Sequence, residues 1–212
     1  MGTTDPSVLV AGIIDEFEAI NDAREKAISQ SRHVIRASAN AIRAAHRGEF
    51  DDARAGAGEA SAMLQEIVDH VTDHPSLAGA GYVQDAMKEV AEAHISIAIL
   101  EGGELPAPGD LGISSSAWLN GLAEAASELR RDALDALRRN DVPRAESLLQ
   151  QMDTIYSVLV TVDFPDAITG GIRRTTDQLR AVLERTRGDV TFALRQDRLE
   201  RMLSQTESRL EG

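Results

Sequence analysis

From Asp5-Pro6 to Arg47 the chain reads as one uninterrupted helix. Apolar or small residues recur at positions 20, 27, 34 and 41, and again at 28, 35 and 42, and the pattern stops at Gly48. At 1.5 Å per residue such a helix is about 60 Å long. A compact domain of 212 residues cannot enclose an element of that length, so one end must overhang. A seam that continues past the domain predicts contact with a second subunit.

The rest of the sequence follows the same period. Aromatic content is only 3%, alanine and leucine are abundant, and no alternating strand pattern occurs, which predicts an all-α protein. A second helix is expected over roughly Phe50 to Asp73, ended by Pro75, and a third holds Gln84 to Leu100. The segment GGELPAPGDLGI is the clearest loop; Ser114-Ser115-Ser116 then caps a helix running to Arg139. Asn140-Asp141 with Pro143 opens the next helix, to Val162, and Asp163-Phe164-Pro165-Asp166 breaks the chain again. The last region is helical and arginine-rich, with interruptions expected at Gly170-Gly171 and at Gly188. Residues 1–212 read as one helical domain without internal repeats.

An apolar content of 42% supports a core of ordinary size. The absence of cysteine excludes disulfides and thiolate metal sites. No basic leader precedes the N-terminal apolar run, which breaks at Asp15, and no later run reaches the roughly 20 apolar residues that span a bilayer. A soluble, cytoplasmic protein with no membrane partner is expected. The formal charge of −13 argues at first against polyanionic partners. Its distribution removes the force of that argument: Lys26 and Lys88 are the only lysines, and from Pro165 onward nine arginines face eight acidic residues. Acidity with so little lysine also suits a salt-rich cytosol, so net charge does not identify a ligand.

Two constellations carry chemistry. Asp85, Glu89, Glu92 and Ser96 fall into one narrow stripe of the third helix, with Lys88 at its edge, while alanine, valine, isoleucine and methionine cover the other faces. A solvated face with a Lys88–Glu92 pair is the simpler explanation, worth a few tenths of a kcal/mol. Against it, carboxylates crowded onto one stripe of a mostly buried helix repel one another unless a cation or a wet cavity receives them. Oxygen donors without histidine or cysteine suit Mg²⁺, which binds one or two carboxylates, water and phosphate. Other schemes fit less well: neither Glu89 nor Glu92 begins the Glu-x-x-His of a di-iron bundle, and His70-Val-Thr-Asp-His74 has Asp73 where a zinc-protease motif needs glutamate. No phosphate-binding glycine loop or nucleophile elbow is present.

Arginines form the second constellation. Arg32, Arg36, Arg43 and Arg47, spaced 4, 7 and 4, share a face of the first helix, and Arg173 and Arg174 open a further basic series near the C-terminus. Surface ion pairs worth under about 1 kcal/mol each would account for them. So would a track for nucleic-acid phosphates. With Trp118, Tyr82, Tyr156 and four phenylalanines as the only aromatics, binding would rest on charge and shape more than on base stacking.

Four segments, Ala19–Ile42, the Lys-Glu-Val-Ala-Glu-Ala run at 88–93, residues 126–141 and residues 163–189, together resemble the translin family in its prokaryotic branch. The resemblance implies a translin-like helical bundle with a long N-terminal helix, assembled into a hollow homo-oligomer, an octamer, that takes RNA and single-stranded DNA inside. The catalytic arm of the family, of the translin-associated factor X type, is a Mg²⁺-dependent endoribonuclease. Its two glutamates, three apart, match Glu89 and Glu92; its aspartate, downstream of a Gly-Glu-Leu helix, matches Asp141. Here Ser127 replaces that glycine, and Asn140 stands where glycine usually precedes the aspartate. Glu128 has Arg131 and Asp132 nearby and needs only a surface ion pair to explain it. The expectation is therefore an endoribonuclease with Mg²⁺ held by Glu89, Glu92 and Asp141, and with Arg32, Arg36, Arg43, Arg47, Arg173 and Arg174 on the nucleic acid. The alternative is a non-catalytic RNA- or single-stranded-DNA-binding oligomer.

Overall fold

The computed structural model describes residues 5–210. Its helices are α1 (Pro6–His46), α2 (Phe50–Val71), α3 (Pro75–Ala78), α4 (Gly81–Glu101), α5 (Ser115–Arg138), α6 (Val142–Leu159), α7 (Asp166–Thr169) and α8 (Ile172–Leu210), and no strand occurs among the described residues. None of these helices is long and apolar enough to cross a membrane.

α1 begins as its sequence dictates: Asp5 accepts a hydrogen bond from the Ser7 N–H at 2.9 Å, and Pro6 occupies the first turn, where no N–H is needed. Everything from residue 5 to residue 19 is exposed, and burial starts only at Ala23. The overhang is therefore real, and it carries exposed Val8, Leu9, Val10, Ile13, Ile14 and Phe17. Beyond it, Ala23, Ala27, Val34 and Ala41 face α2 and α4. α2 answers with Ala53, Ala57, Ala60, Leu64, Ile67 and Val71, alternating three and four residues apart, which keeps one narrow apolar stripe against α1.

α4 is the axis of the molecule. Val83, Ala86, Met87 and Val90 pack towards α1 and α2, whereas Ala91, Ile95 and Ile99 join Leu122, Ala126 and Leu129 of α5, Leu148 and Met152 of α6, and Leu179 and Leu183 of α8. A helix covered on both sides has little polar surface to spare, so its acidic stripe is the exception to be explained.

The chain breaks mostly where expected. Gly102 and Gly170 take left-handed backbone, with φ of 77° and 62°, and end α4 and α7. Pro75 opens the single turn of α3. Gly188 does not interrupt: α8 runs straight through it for 39 residues. One glycine costs a helix about 1 kcal/mol, and buried Thr186 and Val190 on either side hold this turn against α5 and α6.

Candidate metal centre

The site starts from a glycine. A Cβ placed on Gly121 of α5 would lie 2.6 Å from the Ala91 Cβ, 2.8 Å from the Lys88 carbonyl and 3.0 Å from the Glu92 nitrogen. Only glycine lets the two backbones come this close. One turn further along α5, Glu124 is thereby delivered to the acidic stripe of α4. Glu89, Glu92 and Glu124 each place a carboxylate oxygen within 4.8 Å of the others, the one such cluster among the described residues.

The three carboxyls differ. Glu92 is 8% exposed and makes no hydrogen bond or ion pair among the described residues. Burial first, then the charges of Glu89, Glu124 and Glu128, push its pKa up to about 8, with Lys88 opposing. Glu89 is raised in the same direction by burial, against the pull of Lys88. Lys88 donates to Glu124 at 3.0 Å and lies 3.9 Å from Glu89. Burial acts to lower the Lys88 pKa, but the hydrogen bond to Glu124 and the surrounding acids outweigh it. One ammonium against three crowded carboxyls leaves the group short of positive charge. Hard oxygen donors on two rigid helices, one of them buried without a partner, could hold a metal ion.

A second polar cluster lies along the same face of α5. The His46 side chain is 2% exposed and donates from Nδ1 to Asp132 at 2.8 Å and from Nε2 to Glu128 at 3.2 Å. The hydrogen bond to Asp132, then that to Glu128, raises its pKa to about 9, against desolvation. Glu128 in turn is held below its usual value by the His46 hydrogen bond. Glu128 is thus tied to α1, in place of the ion pair with Arg131 expected from its neighbours.

Asp141 does not join the carboxylates. It caps α6, accepting from the Arg144 N–H at 3.1 Å, and is exposed. It lies past the C-terminus of α5, which ends at Arg138, about 21 Å of helix axis beyond Glu124. Its match to the family aspartate rested on spacing after a Ser-Glu-Leu segment, and the local capping need explains the residue instead. The third carboxyl is Glu124. The signal for it was the mid-helix Asn120-Gly121, a glycine costly in a helix unless another backbone must pass.

Arg32, Arg36, Arg43 and Arg47 all sit on the exposed side of α1. Arg47 is engaged by Glu49, and Arg43 by Asn40; Arg32 and Arg36 have no acidic partner among the described residues. Arg173 pairs with Asp163 at 2.9 Å. Arg174 has no acidic partner among the described residues and lines a cavity of about 720 Å³, with Asp85, Lys88 and Glu124 also on its walls.

No protein-family model matches the sequence. The chain is 29% identical over 178 residues to the uncharacterized protein MJ0175 of Methanocaldococcus jannaschii, covering 81% of this chain and 77% of that one. Among solved structures it superimposes on AfC3PO in complex with duplex RNA with a TM-score of 0.79 and 31% identity, over 87% of this chain and 95% of that one. A crystal structure of AfC3PO gives 0.79 and 30% identity over 87% and 96% of the two chains. Apo-NeC3PO, at 15% identity and a TM-score of 0.78 over 91% and 100%, shares the fold.

Proposed function

The chain belongs to the translin family, alongside its C3PO-like proteins, and from that premise we propose that it is a Mg²⁺-dependent endoribonuclease acting on RNA inside a homo-oligomeric shell. The convergence of Glu89, Glu92 and Glu124 carries the proposal. Three carboxyls forced together without enough positive charge cost stability in the protein alone, and a divalent cation relieves that cost. Glu92, Glu89 and Glu124 would hold the ion. When bound, it supplies Lewis-acid polarisation of a phosphodiester oxygen and a lowered pKa for attacking water.

The chain's own residues do the rest. Lys88, at the edge of the cluster, offers an ammonium to the phosphate that approaches the carboxyls. Arg174 on the adjoining wall, with exposed Arg32 and Arg36, which have no acidic partner among the described residues, draws the strand in by its backbone charge. A relative of 31% identity has been solved with duplex RNA, which supports RNA as the ligand; single-stranded DNA has the same phosphate chemistry. The exposed apolar residues of the α1 overhang supply the contact between subunits, with an octamer as the proposed assembly in the cytoplasm.

The Lys88–Glu124 hydrogen bond favours a second reading, in which the carboxyls are internally neutralised and the oligomer binds RNA without cutting it. Incubation of labelled single-stranded RNA with the protein in Mg²⁺ or in EDTA separates the two. The nuclease reading expects cleavage in Mg²⁺ only, abolished by Glu89→Gln/Glu92→Gln; cleavage that survives this double substitution removes it, and binding without cleavage by the unsubstituted protein supports the second.

A further inference from the structure

The cavity beside the carboxylates is larger than a metal site needs. Its volume of about 720 Å³ lies in the range that encloses small organic ligands. One wall is shared with the metal centre through Lys88 and Glu124; the opposite wall is the start of α8, with Arg174, Thr175 and Gln178, and Ile168 of α7 stands at the rim, 65% exposed.

These walls are held in place by a residue that the cleavage chemistry does not use. Asn120 is buried, and its amide donates to the Ser116 and Thr169 carbonyls, each at 2.8 Å, while its Oδ1 accepts from Thr175 at 2.6 Å. Both polar groups of the Asn120 side chain are engaged, and the bonds to Thr169 and Thr175 join α5 to α7 and α8. The cavity is therefore pre-organised. Arg174 and Gln178, by contrast, are exposed and without side-chain partners among the described residues.

We propose that this cavity, formed by α4, α5 and the α7–α8 turn, seats one unpaired nucleotide of the RNA strand next to the phosphodiester presented to Glu89, Glu92 and Glu124. The inference rests on the nuclease reading for the identity of the strand, but the binding it describes requires no metal. Ile168 gives an apolar surface for a base, Gln178 an amide for its edge, and Arg174 a guanidinium for a phosphate or for stacking on the base. Lys88 lines this seat and contacts Glu124 and Glu89 of the cluster, where the next phosphate falls. A base in a duplex has its faces and its pairing edge already occupied, so the seat selects an unpaired nucleotide.

The test is a calorimetric titration of the full chain with uridine 5′-monophosphate in EDTA. Ala167→Trp, on the exposed surface of α7, fills the cavity without touching the core, and Arg174→Ala removes a cation from its wall. Both are expected to weaken binding at least tenfold; far-UV circular dichroism checks that each variant is folded, and Arg174→Ala decides if Ala167→Trp is not. A single-stranded octauridylate is expected to displace the mononucleotide. Absence of mononucleotide binding, binding unchanged in the folded variants, or failure of the octamer strand to compete overturns the proposal. Because no divalent ion is present, none of these results depends on whether the protein cleaves RNA.

Discussion

Gly121 of α5 lies against Ala91 of α4 so closely that a methyl group added to the glycine would sit 2.6 Å from the alanine's own. The neighbouring atoms in the way include the Lys88 carbonyl and the Glu92 nitrogen, backbone that cannot turn aside. Gly121→Ala must therefore push the two helices apart. The expected loss is about 3 kcal/mol, at the upper end for overpacking, which lowers the melting temperature by roughly 6–12 °C in a chain of this size. Thermal unfolding in EDTA measures it; an unchanged melting temperature would mean that the close approach is not what positions Glu124.

Glu92 makes the stability of the protein depend on pH and on cations in a defined direction. A carboxyl whose pKa rises to about 8 on folding contributes stability below its ordinary range, near 4.5, and loses it progressively as pH climbs to 8. Glu92→Gln removes that loss and is expected to stabilise the protein in EDTA by about 1–3 kcal/mol at pH 8 and hardly at all at pH 4.5. Mg²⁺ at a hundredfold excess over its dissociation constant should raise the stability of the unsubstituted protein by about 2.7 kcal/mol, with little effect on Glu92→Gln. Equal responses of the two proteins would place the cation elsewhere.

His46 titrates with the same sign for a different reason. Its pKa of about 9 in the fold means that the imidazolium bridge to Asp132 and Glu128 stabilises fully below pH 6.5 and is lost as pH rises through 9. His46→Ala leaves two carboxylates without their shared donor, at an expected cost of about 3 kcal/mol at pH 6. Denaturant midpoints at pH 6 and pH 9.5 should converge between variant and parent at the higher pH. A constant difference would show that packing, not the ion bridge, is what His46 contributes.

Much of this was legible in the sequence, and the parts that were not share a cause. Helical periods, breakers and caps are local, so α1, α2, α4 and the Gly170-Gly171 break could be read directly. The stripe of Glu89 and Glu92 followed from the period of a single helix. Glu124 is opposite them only because Gly121 lets two helices touch, which a one-helix reading does not contain. Asp141 was drawn to the site by a spacing match, while its local role as the cap of α6 was equally visible. His46 was passed over because its partners lie more than eighty residues away.

The α1 overhang carries its own prediction. Phe17 is 64% exposed, beside Leu9, Ile13 and Ile14, which are also exposed among the described residues. Phe17→Glu is expected to reduce the native mass from an oligomer to smaller species without loss of helicity, since residue 17 lies outside the core. Native mass spectrometry reads the outcome, and an intact assembly would move the interface elsewhere.

The most direct measurement compares two single substitutions in a Mg²⁺-dependent assay on single-stranded RNA. Glu124→Gln alters a carboxyl beside Glu89 and Glu92; Asp141→Asn alters one at the far end of α5. A cluster that holds the metal predicts at least a hundredfold loss of cleavage for Glu124→Gln and near-parental cleavage for Asp141→Asn. Parental activity in Glu124→Gln, or collapse in Asp141→Asn alone, would contradict it.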